Sequence, residues 1–192
     1  MLAFLAGLFF YLLGTIPFSY LIVRWRQGGD IRRLGSGNSG ASNVVRQSGL
    51  IYGIAAFALD FLKGALSAYL ARRWGLPLWL AGLAVVGHDW SPWLRFRGGK
   101  GVATSLGLIL VLSWPTLLIT VGIWLLTVML SGWASLASLL ALGLSPLALL
   151  LRESSLSNLL FLVGLALLAA GRHHKNIARL IRGKERSLFK KT

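Results

Sequence analysis

The feature that most restricts the possible folds of this chain is its series of apolar stretches. Most of them are long enough to cross a lipid bilayer as helices. About 20 consecutive apolar residues are needed to span the hydrocarbon core. We predict seven spans, at residues 2–23, 50–71, 76–90, 100–113, 115–131, 134–151 and 155–171. The third and fourth are short, so we expect incomplete helices that dip toward the segment between them, as is tolerated where backbone lines a cavity. No repeat or linker divides the sequence, which predicts an all-α integral membrane protein with a single domain over residues 1–192.

The composition also favours the bilayer. Only 13% of the residues are charged and 56% are hydrophobic, whereas a soluble domain carries about 25% charged residues. The net charge of +15 would suit a nucleic-acid partner. The basic residues, however, flank the apolar stretches instead of covering one soluble face, so no nucleic acid is expected. The absence of cysteine excludes disulfides, a thiol nucleophile and cysteine-bound metals.

Basic residues are concentrated on one side of the predicted spans. Most of them lie after the first span, before the fourth span and after the seventh, while the opposite side holds Arg72, Arg73 and Arg152. Lysine and arginine accumulate in cytoplasmic loops. We therefore predict that the N-terminus is outside and the C-terminus inside, and that most of the positive charge reports topology.

Two glycine-rich segments fall on the predicted cytoplasmic side: residues 35–43, here called the first glycine segment, and residues 98–101, the second glycine segment. Glycine lets backbone N–H groups converge on an anion because no Cβ blocks the approach. Arg46 and Lys100 add positive charge, so the two segments together predict a site where phosphate-bearing compounds meet. Ordinary turns are the alternative, since neither segment has the spacing of a P-loop or a dinucleotide fingerprint.

Histidines provide further candidates. His88 could act as an acid or base, orient a loop, or form a hydrogen bond within the core. After the last span, His173, Asn176 and Ile177 share one helical face by their spacing, although an amphipathic helix lying on an anionic membrane has the same pattern. His173 and His174 diverge by about 100° on a helix, so no zinc site is expected there.

Several polar residues lie within the predicted spans. Asp60 and Lys63 are one turn apart in the second span and could pair with each other or reach inward. Ionisable residues at membrane depth are functional candidates, and a structural contact between helices is the alternative. Ser135 and Ser138 begin the sixth span, where they either allow close helix packing or face a polar cavity.

Three segments resemble the signatures of one enzyme family. Residues 35–46, 87–104 and 172–185 are similar, in order and spacing, to the signatures of the bacterial acyl-phosphate:glycerol-3-phosphate acyltransferases, the PlsY family. The chain departs from the family pattern at Ser39 and Ser42, where Pro and Thr are more common. It also has Gly132 and Trp133 in place of an Arg-Tyr pair, which removes one cationic group ahead of Ser138.

The resemblance implies transfer of a fatty acyl group from acyl phosphate to the 1-hydroxyl of sn-glycerol 3-phosphate, giving lysophosphatidic acid and inorganic phosphate in phospholipid biosynthesis. It implies a multi-pass protein of the bacterial cytoplasmic (inner) membrane, with its site toward the cytoplasm, in contact with membrane lipid and supplied by an acyl-phosphate-forming enzyme. The His and Asp pair of other acyltransferases is absent, because Trp93 and Ala178 stand at the required positions after His88 and His173. Neither a cofactor nor a metal is expected. A transporter or flippase for a phosphorylated solute or lipid is the alternative, since broken helices and a basic cavity suit it equally.

Residue types and resemblance together indicate the site. Catalysis is expected from Ser36, His173 and Asn176. Substrate binding is expected from Gly37, Asn38, Ser39, Gly40, Ala41, Ser42, Asn43, Arg46, His88, Gly99, Lys100 and Ser138. The first glycine segment would hold acyl phosphate, while Arg46, Lys100 and the His173–Asn176 region would hold glycerol 3-phosphate. Because an acyl phosphate is already activated, its departing phosphate can take the hydroxyl proton, and His173 is the rival base.

Overall fold

The computed structural model describes residues 1–152 and 155–189, and every regular element in that part of the chain is helical. The α-helices are, in chain order, α1 (Leu2–Thr15), α2 (Phe18–Gln27), α3 (Ala41–Ser48), α4 (Leu50–Arg73), α5 (Leu78–Ala81), α6 (Leu83–Asp89), α7 (Val102–Leu112), α8 (Trp114–Ser131), α9 (Ala134–Leu150), α10 (Leu156–Arg172) and α11 (His174–Ile181). Two 3₁₀ turns, Ile31–Arg33 and Pro92–Leu94, lie in loops. The all-α prediction is confirmed.

The helices differ in their ability to cross a bilayer. Among the described residues, three units are long and apolar enough: Leu2–Gln27, α4 and α8. A fourth is formed by α10 and α11 if the 66° bend between them lies within one span. The apolar helices α7 and α9 are shorter, at 11 and 17 residues. The expected short helices are confirmed, since α5 and α6 hold 4 and 7 residues, and the count of seven spans stays a prediction.

The first apolar stretch, predicted as one span at residues 2–23, consists of two helices with an interruption at Pro17. Pro17 has no N–H to continue the helical ladder, so α1 ends at Thr15 and α2 begins at Phe18. Carbonyl groups freed at such a break must find other donors inside a membrane. The Ser91 hydroxyl donates to the Thr15 carbonyl at 2.7 Å, and the Lys63 ammonium bonds the neighbouring carbonyls, as described below.

Glycines set the closest helix contacts. A Cβ on Gly64 of α4 would lie 2.0 Å from the carbonyl oxygen of Thr104 on α7, and a Cβ on Gly14 of α1 would lie 2.1 Å from that of Ala84 on α6. Small residues allow membrane helices to approach backbone to backbone. These contacts fix α6 and α7, which flank the second glycine segment.

The outer surface of the bundle is apolar. Large hydrophobic side chains such as Ile51 and Leu130 are each 80% exposed. In water such a surface would mark an interaction site, whereas lipid tails solvate it. The buried side chains of Phe10, Leu108 and Leu162 belong to one core cluster that joins α1, α7 and α10. The polar residues discussed next lie toward one end of these helices.

Candidate active site

The first glycine segment is folded around one buried side chain, that of Asn43. The Asn43 amide oxygen accepts a hydrogen bond from the backbone N–H of Ser36 at 3.1 Å. Its amide nitrogen donates to the carbonyls of Leu34 at 3.1 Å and Asn38 at 2.9 Å. Both ends of the amide are used within the loop, so Asn43 gives the loop its shape. A direct contact of Asn43 with substrate stays a prediction.

The same segment leads into the N-terminus of α3, which begins at Ala41. The first N–H groups of a helix have no acceptor within it and attract anions. Gly37 has a φ of 72°, a left-handed conformation that suits glycine. Ser39 is buried and lines a cavity of about 10 Å³ together with Asp60 and His88. The remaining residues predicted to bind substrate in this segment are half-buried: Asn38, Gly40, Ala41 and Ser42.

Arg46 lies one turn into α3 and faces the segment. Its guanidinium approaches the Ser36 hydroxyl at 3.4 Å, and its Nε is buried without a hydrogen-bond partner in the described part of the chain. Burial lowers the pKa of Arg46 from its usual range, and the nearby Arg186 and Arg179 act in the same direction. A guanidinium with an unused N–H among other cations is suited to bind a phosphate.

The second glycine segment is pressed against the end of α6. The N–H groups of Gly98 and Gly99 donate to the carbonyls of Asp89 and His88, each at 3.1 Å. A Cβ on Gly98 would lie 2.1 Å from the His88 carbonyl oxygen, and one on Gly99 would lie 2.0 Å from His88 Nε2. Only glycine permits this approach, so packing explains Gly98 and Gly99, and a contact of Gly99 with substrate stays a prediction.

Arg172, the last residue of α10, also holds the second glycine segment in place. Its guanidinium donates to the carbonyls of Gly99 at 2.8 Å and Asp89 at 3.0 Å. It also stacks over the Trp90 ring, 4.9 Å from the ring centre. Sequence reasoning gave Arg172 no role at the site, because a basic residue at the end of a span also fits the topology rule.

Lys100 projects from this segment to α11. Its ammonium donates a hydrogen bond to Asn176 Oδ1. The Asn176 amide nitrogen donates to Glu185 at 2.8 Å, and the other Glu185 oxygen accepts from Arg179 at 2.9 Å. Burial lowers the pKa of Lys100 to about 8; the charge of Glu185 acts to raise this pKa, and the charges of Arg179 and Arg46 act to lower it. Loss of this ammonium proton therefore falls near neutral pH.

His173 lies at the bend between α10 and α11, close to Lys100. Its Nδ1 is 2.8 Å from the carbonyl oxygen of Ala169. Because a carbonyl can only accept, Nδ1 carries the proton and Nε2 holds a free electron pair. Burial, with the charge of Lys100, lowers the pKa of His173 to about 4. The imidazole is therefore neutral at physiological pH and available as an acceptor.

Residues 182–189 tie the predicted groups together. Arg186 donates to the carbonyl of Gly35 in the first glycine segment. The N–H of Leu188 donates to the carbonyl of Gly132, in the turn between α8 and α9, at 2.8 Å. The first glycine segment, Lys100 and the His173–Asn176 region thus converge, and a site that holds two phosphates there stays a prediction.

Two predicted site residues have other contacts. The Ser138 hydroxyl accepts from Trp124 Nε1 at 3.1 Å and donates to the Ala134 carbonyl at 2.7 Å. The Nδ1 of His88 faces the Lys63 ammonium at 2.9 Å. Neither side chain has a hydrogen bond to Lys100 or Asn176 among the described residues, and their roles in substrate binding stay predictions.

Besides Arg172, three charged residues of the candidate site carried no role in the sequence analysis. Glu185 and Arg179 lie inside the third signature, where their spacing of six residues gives no helical pairing signal. Arg186 meets Gly35 across 151 residues of sequence, and no local pattern could predict that contact. In residues 1–152 and 155–189, no three His, Asp or Glu side chains converge as metal ligands would.

The sequence of this chain is similar to those of known enzymes. The sequence profile of the family described as glycerol-3-phosphate acyltransferase matches residues 4–183. A glycerol-3-phosphate acyltransferase of Thermotoga petrophila is 44% identical over 187 residues, which cover 94% of this chain and 95% of the relative. One from Synechococcus sp. (strain JA-2-3B'a(2-13)) is 44% identical over 186 residues, covering 95% and 93%.

Two solved structures share the fold. Both are crystal structures of PlsY (YgiH), an integral membrane glycerol 3-phosphate acyltransferase. The glycerol 3-phosphate form has a TM-score of 0.91 at 36% identity, and the alignment covers 97% of this chain and 96% of that one. The lysophosphatidic acid form has a TM-score of 0.88 at 35% identity, with 97% and 95% covered. The arrangement of helices and loops described above is thus that of an integral membrane protein.

Proposed function

This chain belongs to the glycerol-3-phosphate acyltransferase family and is an integral membrane enzyme that acylates glycerol 3-phosphate; from that premise we propose how its residues bind and align the substrates. The donor is acyl phosphate. The bond between the acyl carbon and the phosphate oxygen breaks, an ester bond forms to the 1-hydroxyl oxygen, and the hydroxyl proton leaves with the phosphate. The products are lysophosphatidic acid and inorganic phosphate.

Glycerol 3-phosphate binds between α3, the second glycine segment and α11. Lys100 and the unused N–H of Arg46 supply positive charge for its phosphate. His173 Nε2 and the Asn176 amide lie within the same cluster and suit the hydroxyl groups. The convergence of these four side chains is the observation that carries the proposal.

Acyl phosphate binds at the first glycine segment. The loop held by Asn43 and the N-terminus of α3 offer backbone N–H groups to the donor phosphate. The Ser36 hydroxyl, 3.4 Å from Arg46, adds a donor that can follow the charge moving onto the departing phosphate. The acyl chain then lies against the apolar helices or extends into lipid.

Catalysis proceeds without a strong protein base. Glu185 is occupied by Asn176 and Arg179, and Asp30 is paired with Arg32 at 2.7 Å. Alignment of two anions and stabilisation of charge supply most of the acceleration. The departing phosphate takes the proton, and His173 orients the attacking hydroxyl. No metal takes part, so activity should persist in EDTA, and its loss there would contradict this account.

We place the protein in the bacterial cytoplasmic (inner) membrane as one domain, with the N-terminus outside and the site toward the cytoplasm. The basic residues around both glycine segments support this orientation. An acyl-phosphate-forming enzyme would then deliver the donor within or beside the cytoplasmic leaflet.

The deciding experiment uses purified protein in detergent or bilayer with palmitoyl phosphate, glycerol 3-phosphate and no other protein. Phosphate and lysophosphatidic acid are measured together, beside Ser36→Ala and Lys100→Ala. We expect equal formation of both products, impaired in the two variants. Release of phosphate without the lipid would indicate hydrolysis, and absence of both products in folded protein would turn attention to transport across sealed vesicles.

A further inference from the structure

A cluster of charged side chains lies buried among the helices, next to the second glycine segment. The Lys63 ammonium of α4 is 2.9 Å from Asp60 Oδ1 one turn earlier. This confirms the pairing that the sequence left as one of two alternatives. The side chains of Lys63 and Asp60 are 1% and 2% exposed. A buried charge at membrane depth requires a partner, and here the partners reach beyond the pair.

Lys63 closes the break between α1 and α2. Its ammonium donates to the carbonyls of Gly14 at 2.9 Å and Ile16 at 3.1 Å, which flank the end of α1. The Ser19 hydroxyl of α2 donates to the second oxygen of Asp60 at 3.1 Å. The ion pair therefore satisfies the backbone groups freed by Pro17 and holds both halves of the broken helix against α4.

The same ammonium also orients His88 of α6. Lys63 Nζ is 2.9 Å from His88 Nδ1. Because an ammonium has only donors, Nδ1 accepts, and the neutral imidazole carries its proton on Nε2. Nε2 faces the second glycine segment, where a Cβ on Gly99 would lie 2.0 Å away. The His88 carbonyl meanwhile accepts from the N–H of Gly99 at 3.1 Å.

We propose that the buried Asp60–Lys63–His88 cluster fixes the position of the second glycine segment relative to α6. The cluster thereby positions the Lys100 ammonium to bind glycerol 3-phosphate. The inference rests on the proposed function of that site. Asp60 and Lys63 touch neither substrate and act through His88. Ser39 of the first glycine segment lies across the small cavity from Asp60 and His88 and has no hydrogen bond to the cluster within the described residues, so the acyl-phosphate side is affected less.

The test removes both charges at once with Asp60→Asn/Lys63→Gln, which leaves no uncompensated buried ion. We expect the KM for glycerol 3-phosphate to rise about fivefold or more and the KM for palmitoyl phosphate to stay within about twofold. The matched control is Ser67→Ala, on the same helix, where the buried hydroxyl donates to the Lys63 carbonyl at 2.8 Å. Its two KM values should equal those of the wild type.

Hydrogen–deuterium exchange provides a readout that does not depend on turnover. In the double variant, peptides covering residues 96–101 should exchange about fivefold faster or more, while those covering 36–43 keep the wild-type rate. If the double variant does not fold, His88→Phe decides by the same exchange readout, because it removes the Nδ1 contact with Lys63 and leaves the Asp60–Lys63 pair in place.

The outcomes separate the two claims. A wild-type protein that forms no lysophosphatidic acid overturns the proposed function, whereas the exchange result still decides whether the cluster holds the segment. Unchanged exchange at 96–101, or equal increases in both KM values, overturns the positioning role.

Discussion

Lys100 donates a hydrogen bond to Asn176 across 76 residues of sequence. This contact joins the second glycine segment to α11 at the point where Arg46, His173 and Arg179 also approach. Glu185 fixes the orientation of the Asn176 amide by accepting from its nitrogen at 2.8 Å, which turns the amide oxygen toward Lys100. The charge of Lys100 is thus held in place beside Asn176.

Binding of glycerol 3-phosphate should weaken as the pH rises. The pKa of Lys100 is lowered to about 8 by burial, so the ammonium is present below that pH and lost above it. The phosphate group itself titrates near pH 6 and stays doubly charged over this range. We expect the KM for glycerol 3-phosphate to increase about tenfold from pH 7 to pH 9, as the charged fraction of such a lysine falls.

Lys100→Arg separates this effect from other titrations, because a guanidinium stays charged throughout the range. Its KM should be nearly constant from pH 7 to pH 9, whatever its absolute value. The same rise in both proteins would assign the pH dependence to another group.

Replacement of His173 tests the destination of the proton. With the pKa of His173 lowered to about 4 by burial, the imidazole is neutral, and a neutral Gln can replace its hydrogen bonds. We expect His173→Gln to keep kcat within about tenfold of the wild type, since a positioned general base is worth about 10²–10⁴-fold. A loss of three or more orders of magnitude, with the Kd for glycerol 3-phosphate unchanged, would instead make His173 the base.

Asn43 should affect the binding of the acyl donor, acyl phosphate, and not the binding of glycerol 3-phosphate. Asn43→Ala removes the acceptor for the Ser36 N–H and the donor to the Leu34 and Asn38 carbonyls, so the loop loses its shape. The KM for palmitoyl phosphate should rise about tenfold, while that for glycerol 3-phosphate changes little. Asn158→Ala, at a half-buried position in the first turn of α10, is the matched control and should leave both values unchanged.

Gly64 should be intolerant of a side chain. In Gly64→Ala the new Cβ would lie 2.0 Å from the Thr104 carbonyl, which forces α4 and α7 apart. Overpacking of this kind costs about 1–3 kcal/mol, so Tm in detergent should fall by several degrees. Gly122→Ala on α8 meets no atom within 4 Å and should leave Tm unchanged or raise it. Equal Tm values for the two variants would show that the helices separate freely.

Sequence reasoning located the long helices and the two glycine segments but missed the long-range contacts between them. Length and hydropathy placed α4 and α8 closely, because lipid imposes one rule on every spanning helix. Glycine content identified both segments of the site. Pro17 interrupts an apolar pattern that continues on both sides of it, and sequence reasoning missed the compensation of this break by Lys63, which lies 47 residues away from Ile16.

Long-range polar contacts set the limit of such reasoning. The role of Asn43 could not be read from its type, since an asparagine in a glycine-rich loop suits a substrate contact and a loop anchor equally. Arg172 and Arg186 resembled the other basic residues that report topology. Only their positions in space, at the carbonyls of Gly99 and Gly35, give them a place in the site.

The wide separation of the three groups along the sequence has a consequence for biosynthesis. A nascent chain that has inserted α1 to α9 contains both glycine segments but lacks Arg172, His173 and Asn176. Since chains generally fold in the order of synthesis, we expect the proposed glycerol 3-phosphate site to stay incomplete until α10 and α11 join the bundle. Incomplete chains in the membrane are therefore inert, and acylation begins only with protein whose insertion has passed its final helix.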